Sequence, residues 1–162
     1  MPFWTNLLIQ RRTASFPSLN APETLTAPLA ALLRHEGVPD DPEVSVVLCD
    51  DAFIQSLNAE YRGQDRPTDV LSFAQNDPDL LGDIVISLPT AARQAEAAAW
   101  ALESEVALLG VHGLLHLLGY DDETEAGAWE MQRKTEVALR EAGVPVPAPG
   151  EHPFFTEAPY FP

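Results

Sequence analysis

The sequence predicts a single α+β domain in which a small mixed β-sheet packs with helices. Short β-rich runs and an apolar helical stripe alternate through the first half of the chain, whereas the second half is predicted to form consecutive helices. A chain of 162 residues buries roughly 70% of its unfolded surface when it folds as one unit. One hydrophobic core is therefore enough, and the predicted domain covers residues 1–143.

Two kinds of apolar spacing predict the elements. Alternation, as at Val44, Val46 and Leu48, indicates a strand, whereas apolar residues three or four apart indicate a helix. Strands are expected over residues 7–10, 44–48, 70–73 and 83–88. Helices are expected over residues 22–36, 51–61, 89–100, 103–118 and 123–142. The fourth helix is apolar almost all round, so we expect it to be buried.

The C-terminal segment, residues 144–162, has a different composition from the predicted domain. Prolines recur along it, and they are accompanied by the aromatic residues Phe154, Phe155, Tyr160 and Phe161. Such a stretch cannot form regular secondary structure. We expect it to be disordered or loosely docked as a tail, with its aromatic side chains available for specific packing or for contact with a partner.

The composition argues against a disulfide-stabilised protein and against a membrane protein. Cys49 is the only cysteine, and charged residues interrupt every apolar run before the roughly 20 residues that a membrane-spanning helix needs. The first twelve residues also lack the pattern of a secretory signal. The sequence therefore predicts a cytoplasmic protein with no membrane partner.

The chain is strongly acidic. It carries 25 acidic and 9 basic residues, which gives a formal net charge of -16. A field of that sign repels polyanions at long range and, taken alone, argues against nucleic acid. Most of the basic residues are arginines, however, and a guanidinium group binds phosphate through two parallel hydrogen bonds. A local arginine cluster could therefore still bind a phosphate chain.

The segment HGLLHLLGYDD, residues 112–122, predicts a metal site. His112 and His116 are four residues apart on the predicted buried helix, so both imidazoles lie on one face, one turn apart. Gly119 then ends the helix where a left-handed backbone is needed and lets the chain fold back beneath the histidines. The partial negative charge of the helix C-terminus also favours a cation here.

A third ligand is expected from the acidic pair after the glycine. The spacing of His112, His116, Gly119 and the tenth residue, Asp122, is that of metzincin-type zinc sites, and Asp121 competes with Asp122 for the position. Three protein ligands leave one position open, as in catalytic zinc sites. We therefore expect one divalent metal ion per chain, most readily zinc, bound by His112, His116 and Asp122.

A structural role for these histidines is the alternative. Two histidines on an apolar helix are often core residues with hydrogen-bonded rings, but the glycine turn and the acidic pair favour a metal site here. The other histidines, His35 and His152, lack such neighbours and are expected to be a surface helix residue and a tail residue.

Three sequence blocks together resemble one known family. HGLLHLLGYDD resembles the H-G-x-L-H-L-x-G-Y-D-H signature of the YbeY family of single-strand-specific endoribonucleases. NAEYRGQDRPTDVLSF and LGDIVIS resemble two further blocks of the same family, in the same order along the chain. The resemblance extends from about residue 58 to about residue 122. It implies a zincin-like fold, a metal-dependent endoribonuclease domain and a role in rRNA maturation.

The resemblance also implies partners and a catalytic group. The implied substrate is single-stranded RNA, in particular 16S rRNA during ribosome biogenesis, with the small ribosomal subunit or its proteins as partners. Arg62 matches the arginine of the family's Y-R block, and its guanidinium could hold phosphoryl oxygens as charge builds. A salt bridge to Asp65 or Asp69 is the structural alternative for Arg62. We expect RNA to bind along a groove formed by Arg62, Arg66 and Arg93.

This sequence departs from the family signature at one ligand. Asp122 stands where the family pattern has a third histidine. A carboxylate in place of a neutral imidazole makes the site less Lewis acidic and more tolerant of harder ions such as manganese.

Two other side chains lie near the predicted site. Asp69 is expected to bond to the backbone or to orient a ligand histidine, and Glu105 lies on the histidine face of its helix, either as a partner in the site or exposed at the helix start. Neither is predicted to be catalytic.

Two other functions fit part of the pattern. A metalloprotease shares the glycine-turn spacing, but Gly113 stands where the HExxH motif has its general-base glutamate. A non-enzymatic ribosome-assembly factor, whose metal only rigidifies the fold, is the other alternative.

Overall fold

The computed structural model describes residue 4 and residues 6–39, 41–75, 77 and 79–157. Each of the predicted strands and helices is found there, and the largest shift is at the fourth strand, which begins at Leu80 instead of Asp83. The strands are β1 (Leu7–Arg11), β2 (Glu43–Cys49), β3 (Val70–Ala74) and β4 (Leu80–Ser87). The helices are α1 (Ala21–His35), α2 (Asp51–Arg62), α3 (Leu88–Ala98), α4 (Leu102–Leu117) and α5 (Glu125–Glu141).

The four strands form one mixed sheet in the order β1-β2-β4-β3. β2 pairs in parallel with both β1 and β4, whereas β3 runs antiparallel to β4. The predicted α+β class with a mixed sheet is therefore confirmed. Since β4 lies between β2 and β3, the strand β3 is at an edge of the sheet.

The two faces of the sheet are covered unequally. On one face α2 packs alone, with Ile54 in a small cluster with Leu71 and Val85. The other face carries the main core, in which α4 packs against β3 and β4, and α1 and α5 pack against α4 and against each other. Burying each large aliphatic side chain of this core contributes about 1.5–3 kcal/mol.

The helix α4 is the centre of the main core. Its side chains are buried along most of its length, as its all-round apolar sequence predicts. Among the described residues, no single helix is long and apolar enough to cross a membrane. Only α3 and α4 taken together, bent by 116° where they meet, satisfy the criteria of length and composition.

The described part of the C-terminal segment is docked, which corrects the expectation of a loose tail. His152 and Phe155 are only 6% and 2% exposed. His152 and Phe155 also form an isolated antiparallel bridge. The aromatic side chains bury apolar surface against the core, and this compensates for the absence of helix or strand. Tyr160 and Phe161 lie outside the described residues.

Candidate metal centre

A glycine turn ends α4 and shapes the site. The Gly119 N–H donates to the carbonyl of His116 at 3.0 Å, and the Tyr120 N–H donates to that of Leu115 at 3.0 Å. These two bonds are those of a Schellman motif, which requires a left-handed residue after the helix cap. Gly119 supplies it, with a φ of +99°. The chain therefore reverses directly after the second histidine, as its position in the sequence predicts.

Three predicted ligands meet at this turn. The Nε2 atoms of His112 and His116 are 3.1 Å apart, and Nε2 of His112 is 3.7 Å from Oδ2 of Asp122. One donor atom from each of the three residues lies within 4.8 Å of the others. The three donors therefore face one common point, as the spacing of the sequence predicts.

The geometry separates the two candidates for the third ligand. Asp122 directs a carboxylate oxygen to His112, whereas Oδ1 of Asp121 accepts a hydrogen bond from the Glu123 N–H at 3.1 Å. Asp121 therefore stabilises the turn through its own carboxylate. This arrangement favours Asp122 as the ligand.

A polar cluster of Tyr120, Glu36 and Lys134 connects the turn to the neighbouring helices. The Tyr120 hydroxyl donates to Oε1 of Glu36, which caps the C-terminus of α1, and Nζ of Lys134 on α5 donates to Oε2 of the same carboxylate at 2.9 Å. Burial raises the pKa of Glu36, but the hydrogen bonds from Tyr120 and Lys134 outweigh it and lower the pKa. Glu36 is thus held ionised and ties the turn to two helices.

The two histidine rings are held in different ways. Nδ1 of His116 bonds to the carbonyl oxygen of Tyr120 at 3.0 Å, which turns its Nε2 toward the site. Among the described residues, the buried Nδ1 of His112 has no hydrogen-bond partner. Burial, followed by the charge of His116, lowers the pKa of His112. His112 is therefore held in the neutral form that binds metals.

The donor set fits an open metal site. Two imidazoles and a carboxylate are suitable ligands for zinc, and three protein ligands are the number in catalytic zinc sites. The Asp122 side chain is 48% exposed, so the site opens to solvent. Cys49 lies elsewhere, buried and donating to the carbonyl of Ile86. The described residues thus supply no thiolate that would close the site as a structural one.

Arg62 lies in the same cleft as the two histidines. The cleft has a volume of about 410 Å³ between β3 and the end of α4, and Arg62, His112 and His116 all line it. One amino group of Arg62 donates to the carbonyl of Ser72 at 2.9 Å, and the guanidinium lies 5.2 Å from the ring centroid of Phe73. Among the described residues Arg62 forms no ion pair, so the salt bridge to Asp65 or Asp69 is not observed.

The other two arginines of the predicted groove have their own contacts. Arg93 is ion-paired with Asp51 at 2.8 Å and bonded to Thr90. The carbonyl of Arg66 accepts a hydrogen bond from the buried side chain of Asn58 at 2.9 Å, which fixes the loop before β3. Of the three arginines, Arg62 is therefore the one that lies in the cleft with the two histidines.

Gly113 faces the sheet and not the metal centre. A Cβ atom at this position would lie 2.7 Å from Cγ2 of Ile84 and 3.1 Å from Oγ of Ser72. The Ser72 hydroxyl also donates to the carbonyl of Gly113 at 3.0 Å. The helix thus lies so close to β3 and β4 that any added side chain forces its neighbours to shift. The glutamate of a protease HExxH motif is absent, and its position lies against the sheet.

We expect Gly113→Ala to destabilise the fold by about 1–3 kcal/mol, because the added methyl group overpacks against the buried Ile84. Chemical denaturation monitored by circular dichroism measures this change. The control is Gly37→Asn, where no atom lies near the added Cβ and the only cost is that of a left-handed backbone, which asparagine adopts more readily than most residues; we expect a smaller loss there than in Gly113→Ala. Alanine is favoured over glycine inside a helix by about 1 kcal/mol, so a gain in stability of that size in Gly113→Ala would contradict the close packing.

Two further side chains near the site have structural partners. Asp69 accepts from the Val70 N–H at 2.7 Å, the backbone bond that was one of its two predicted roles. Glu105 is only 1% exposed and forms hydrogen bonds with Trp100 and His152. The alternative prediction, that Glu105 is exposed at the start of its helix, is therefore wrong. The partner His152 lies 47 residues away, and no local pattern in the sequence indicates this pair.

Two imidazoles and a carboxylate that could hold a metal ion, with an arginine in the cleft beside the imidazoles, are compatible with the class of hydrolases that cleave phosphodiester bonds. The family model described as Endoribonuclease YbeY matches residues 8–143. The chain belongs to this family. The match ends at residue 143, so the C-terminal segment lies outside it.

Relatives agree with the family model over most of their length. The chain is 49% identical over 134 residues to an endoribonuclease YbeY from Moorella thermoacetica, which covers 75% of this chain and 86% of that relative. It is 51% identical over 122 residues to an endoribonuclease YbeY from Desulforamulus reducens, and the aligned region covers 69% of this chain and 80% of that relative. A solution structure from Thermotoga maritima, TM1509, superposes with a TM-score of 0.62 at 30% identity, over 84% of this chain and 88% of that one.

Proposed function

We propose that this protein is a metal-dependent endoribonuclease that cleaves single-stranded RNA. The observation that carries the proposal is the convergence of three possible metal ligands within 4.8 Å, two of which, His112 and His116, line one cleft with Arg62. Membership of the endoribonuclease YbeY family supports the same activity. The proposal extends to the maturation of 16S rRNA in the cytoplasm, with the small ribosomal subunit as partner.

The proposed cofactor is one divalent ion per chain, bound by His112, His116 and Asp122. Zinc suits this donor set. The carboxylate of Asp122 also makes the site compatible with a harder ion such as manganese. A bound ion of this kind supplies Lewis acidity toward water and toward a phosphoryl oxygen.

The protein's own residues orient and neutralise the substrate. The Arg62 guanidinium is held on one side by the Ser72 carbonyl and by the Phe73 ring, and no other hydrogen-bond partner is found for it in the described part of the chain, so its other N–H groups can bind phosphoryl oxygens. Such donors are most effective when they are fixed before the transition state forms, since they then need not reorganise. Arg62 therefore stabilises the negative charge that builds on the phosphate.

The shape of the site favours a single strand. The donors lie in a recess between the edge strand β3 and the end of α4. A single strand can bend one phosphodiester into such a recess and turn its bases outward, whereas a duplex presents its phosphates on a convex surface. The strongly acidic chain repels a phosphate backbone elsewhere, so binding depends on this local site.

A substrate panel tests the proposal. The purified protein, with its metal content quantified, is incubated with single-stranded RNA, duplex RNA of the same sequence, and casein. We expect cleavage of the single strand, little cleavage of the duplex and none of casein, with activity lost on chelation and restored by added zinc or manganese. Cleavage of casein would favour a protease. Stoichiometric metal without cleavage of RNA or casein would favour an assembly factor and overturn the endoribonuclease proposal.

A further inference from the structure

The two imidazoles of the metal centre differ in what orients them. The ring of His116 is fixed by a hydrogen bond from Nδ1 to the Tyr120 carbonyl. His112 lacks such a bond within the described part of the chain, although its Nδ1 is buried. Metal-binding histidines usually have their second nitrogen bonded, because this bond sets the ring orientation. Besides its Nε2 contact with His116, the contacts that can orient His112 are therefore those that pack against its ring.

An aromatic side chain of the C-terminal segment makes such a contact. The ring centroid of Phe154 lies 5.5 Å from that of His112, with the ring planes at 89°. This edge-to-face arrangement is a favourable geometry for aromatic pairs. His116 meets His112 in a second edge-to-face contact, at 4.7 Å and 84°. The His112 ring is thus packed between an aromatic residue and the other ligand.

A buried polar pair holds Phe154 in place. Nε2 of His152 bonds to Oε1 of Glu105 on α4 at 2.8 Å, and Trp100 donates to the same oxygen at 2.9 Å. The Phe154 N–H donates to Nδ1 of His152 at 2.9 Å. The imidazole of His152 therefore carries its proton on Nε2 and donates it to Glu105. Since His152 and Glu105 are 6% and 1% exposed, this pair is shielded from water.

A second anchor fixes the chain on the other side of Phe154. Nε2 of Gln132 on α5 donates to the carbonyl of Thr156 at 3.0 Å, and the Thr156 hydroxyl donates back to Oε1 of Gln132 at 3.0 Å. Phe155, between the anchors, is buried in the main core. Phe154 is therefore held on both sides, by α4 through Glu105 and by α5 through Gln132.

We propose that the C-terminal segment completes the metal centre. Phe154 is a positioning residue that orients the His112 ring, and Glu105 and His152 are positioning residues that hold Phe154. This inference rests on the proposed function, since it takes His112 as a metal ligand. It assigns a role to residues beyond position 143, where the match to the family ends.

Zinc affinity tests the proposal directly. The affinity of the full chain is measured by competition with a chromogenic chelator. We expect Phe154→Ala to weaken zinc binding about 10-fold or more, the size of effect seen when a group that orients a metal ligand is removed. The matched control is Phe53→Ala, on the opposite face of the sheet, where α2 packs, which is expected to leave zinc affinity within about twofold of the unsubstituted chain.

A conservative pair of variants separates positioning from a general effect on the fold. Trp100 and His152 both bond to one oxygen of Glu105, and the amide oxygen of glutamine can accept the same two bonds. Glu105→Gln should therefore retain most of the zinc affinity, whereas Glu105→Leu should show a loss like that of Phe154→Ala. If Glu105→Leu binds zinc as tightly as Glu105→Gln, the polar pair has no positioning role.

A measurement on the zinc-free protein makes the test independent of the proposed function. The imidazole nitrogens of His112 are followed by NMR with ¹⁵N labelling. We expect one ring orientation in the unsubstituted chain and averaged signals in Phe154→Ala. Unchanged signals, or unchanged zinc affinity where the unsubstituted chain binds zinc, would overturn this inference. Failure of the unsubstituted chain to bind zinc would instead overturn the metal site itself, and the NMR comparison would still decide the role of Phe154.

Discussion

His116→Ala is expected to lose both the metal and RNA cleavage. The substitution removes one of three converging donors and leaves two, fewer than catalytic zinc sites use. We expect the bound metal to fall from about one ion per chain to nearly none, and cleavage of single-stranded RNA to fall on the order of 10³-fold or more, equivalent to about 4 kcal/mol of transition-state stabilisation. Metal analysis of the dialysed protein and a cleavage assay on the same sample measure both effects.

A second histidine provides the control for this variant. His35 is half-exposed on α1 and paired with Glu141, away from the converging donors. His35→Ala should therefore keep its metal and its activity. Persistent RNA cleavage by His116→Ala in metal-free buffer would contradict both the site and the proposed mechanism.

Arg62→Ala is expected to slow RNA cleavage by about 10²–10³-fold, the usual cost of removing one preorganised donor from a developing anion. The bound metal should be unchanged, because Arg62 is not among the converging donors. The fold should also be little affected, since the exposed guanidinium contributes only a bond to the Ser72 carbonyl and a contact with the Phe73 ring. Single-turnover cleavage rates with zinc-loaded protein measure the effect.

Two further substitutions separate charge from geometry at this position. Arg62→Lys retains the positive charge but not the paired N–H groups, so it should recover only part of the rate.

Arg140→Ala, which removes an exposed arginine paired with Glu136 on α5, should cleave at the unsubstituted rate. RNA binding by Arg62→Ala should also depend less on salt, with a slope smaller by about 0.7 for one lost phosphate contact. An unchanged rate in Arg62→Ala would remove Arg62 from the mechanism.

Local patterns in the sequence were sufficient to predict the elements and the core of the site. The spacing of His112 and His116 on an apolar helix, with Gly119 after them, depends only on helix geometry and on the backbone freedom of glycine. The structure shows the same arrangement, with the chain reversing directly after His116. Local signals of this kind are reliable because the residues concerned lie within a few turns of each other.

The choice between Asp121 and Asp122 needed the tertiary structure. The two residues are adjacent and chemically identical, so their sequence positions favour one only weakly. The choice depends on the path of the turn, which is fixed by the hydrogen bond of Tyr120 to Glu36 at the end of α1 and by the start of α5. Glu36 lies 84 residues from Tyr120 in sequence. No local pattern encodes such a contact.

The docking of the C-terminal segment on the domain could also not be predicted from the sequence. Proline-rich composition indicates that a segment lacks helix and strand, but it does not indicate whether the segment packs against the rest of the protein. The docking depends on Glu105 being buried at the corner between α3 and α4, where His152 reaches it. A carboxylate near a helix start is usually exposed, so its burial becomes evident only when the partner is in place.

The sequence by itself determined the class of the fold, the two histidines, the glycine turn and, through Gly113, the absence of a protease base. Each of these depends on residues close together in the chain or on the identity of a single residue. Only the tertiary structure decided the strand order, the turn that distinguishes Asp121 from Asp122, the separate ion pair of Arg93 and the packing of Phe154 on His112. These features depend on contacts between residues that are far apart in the sequence, and such contacts form only when the whole core is folded.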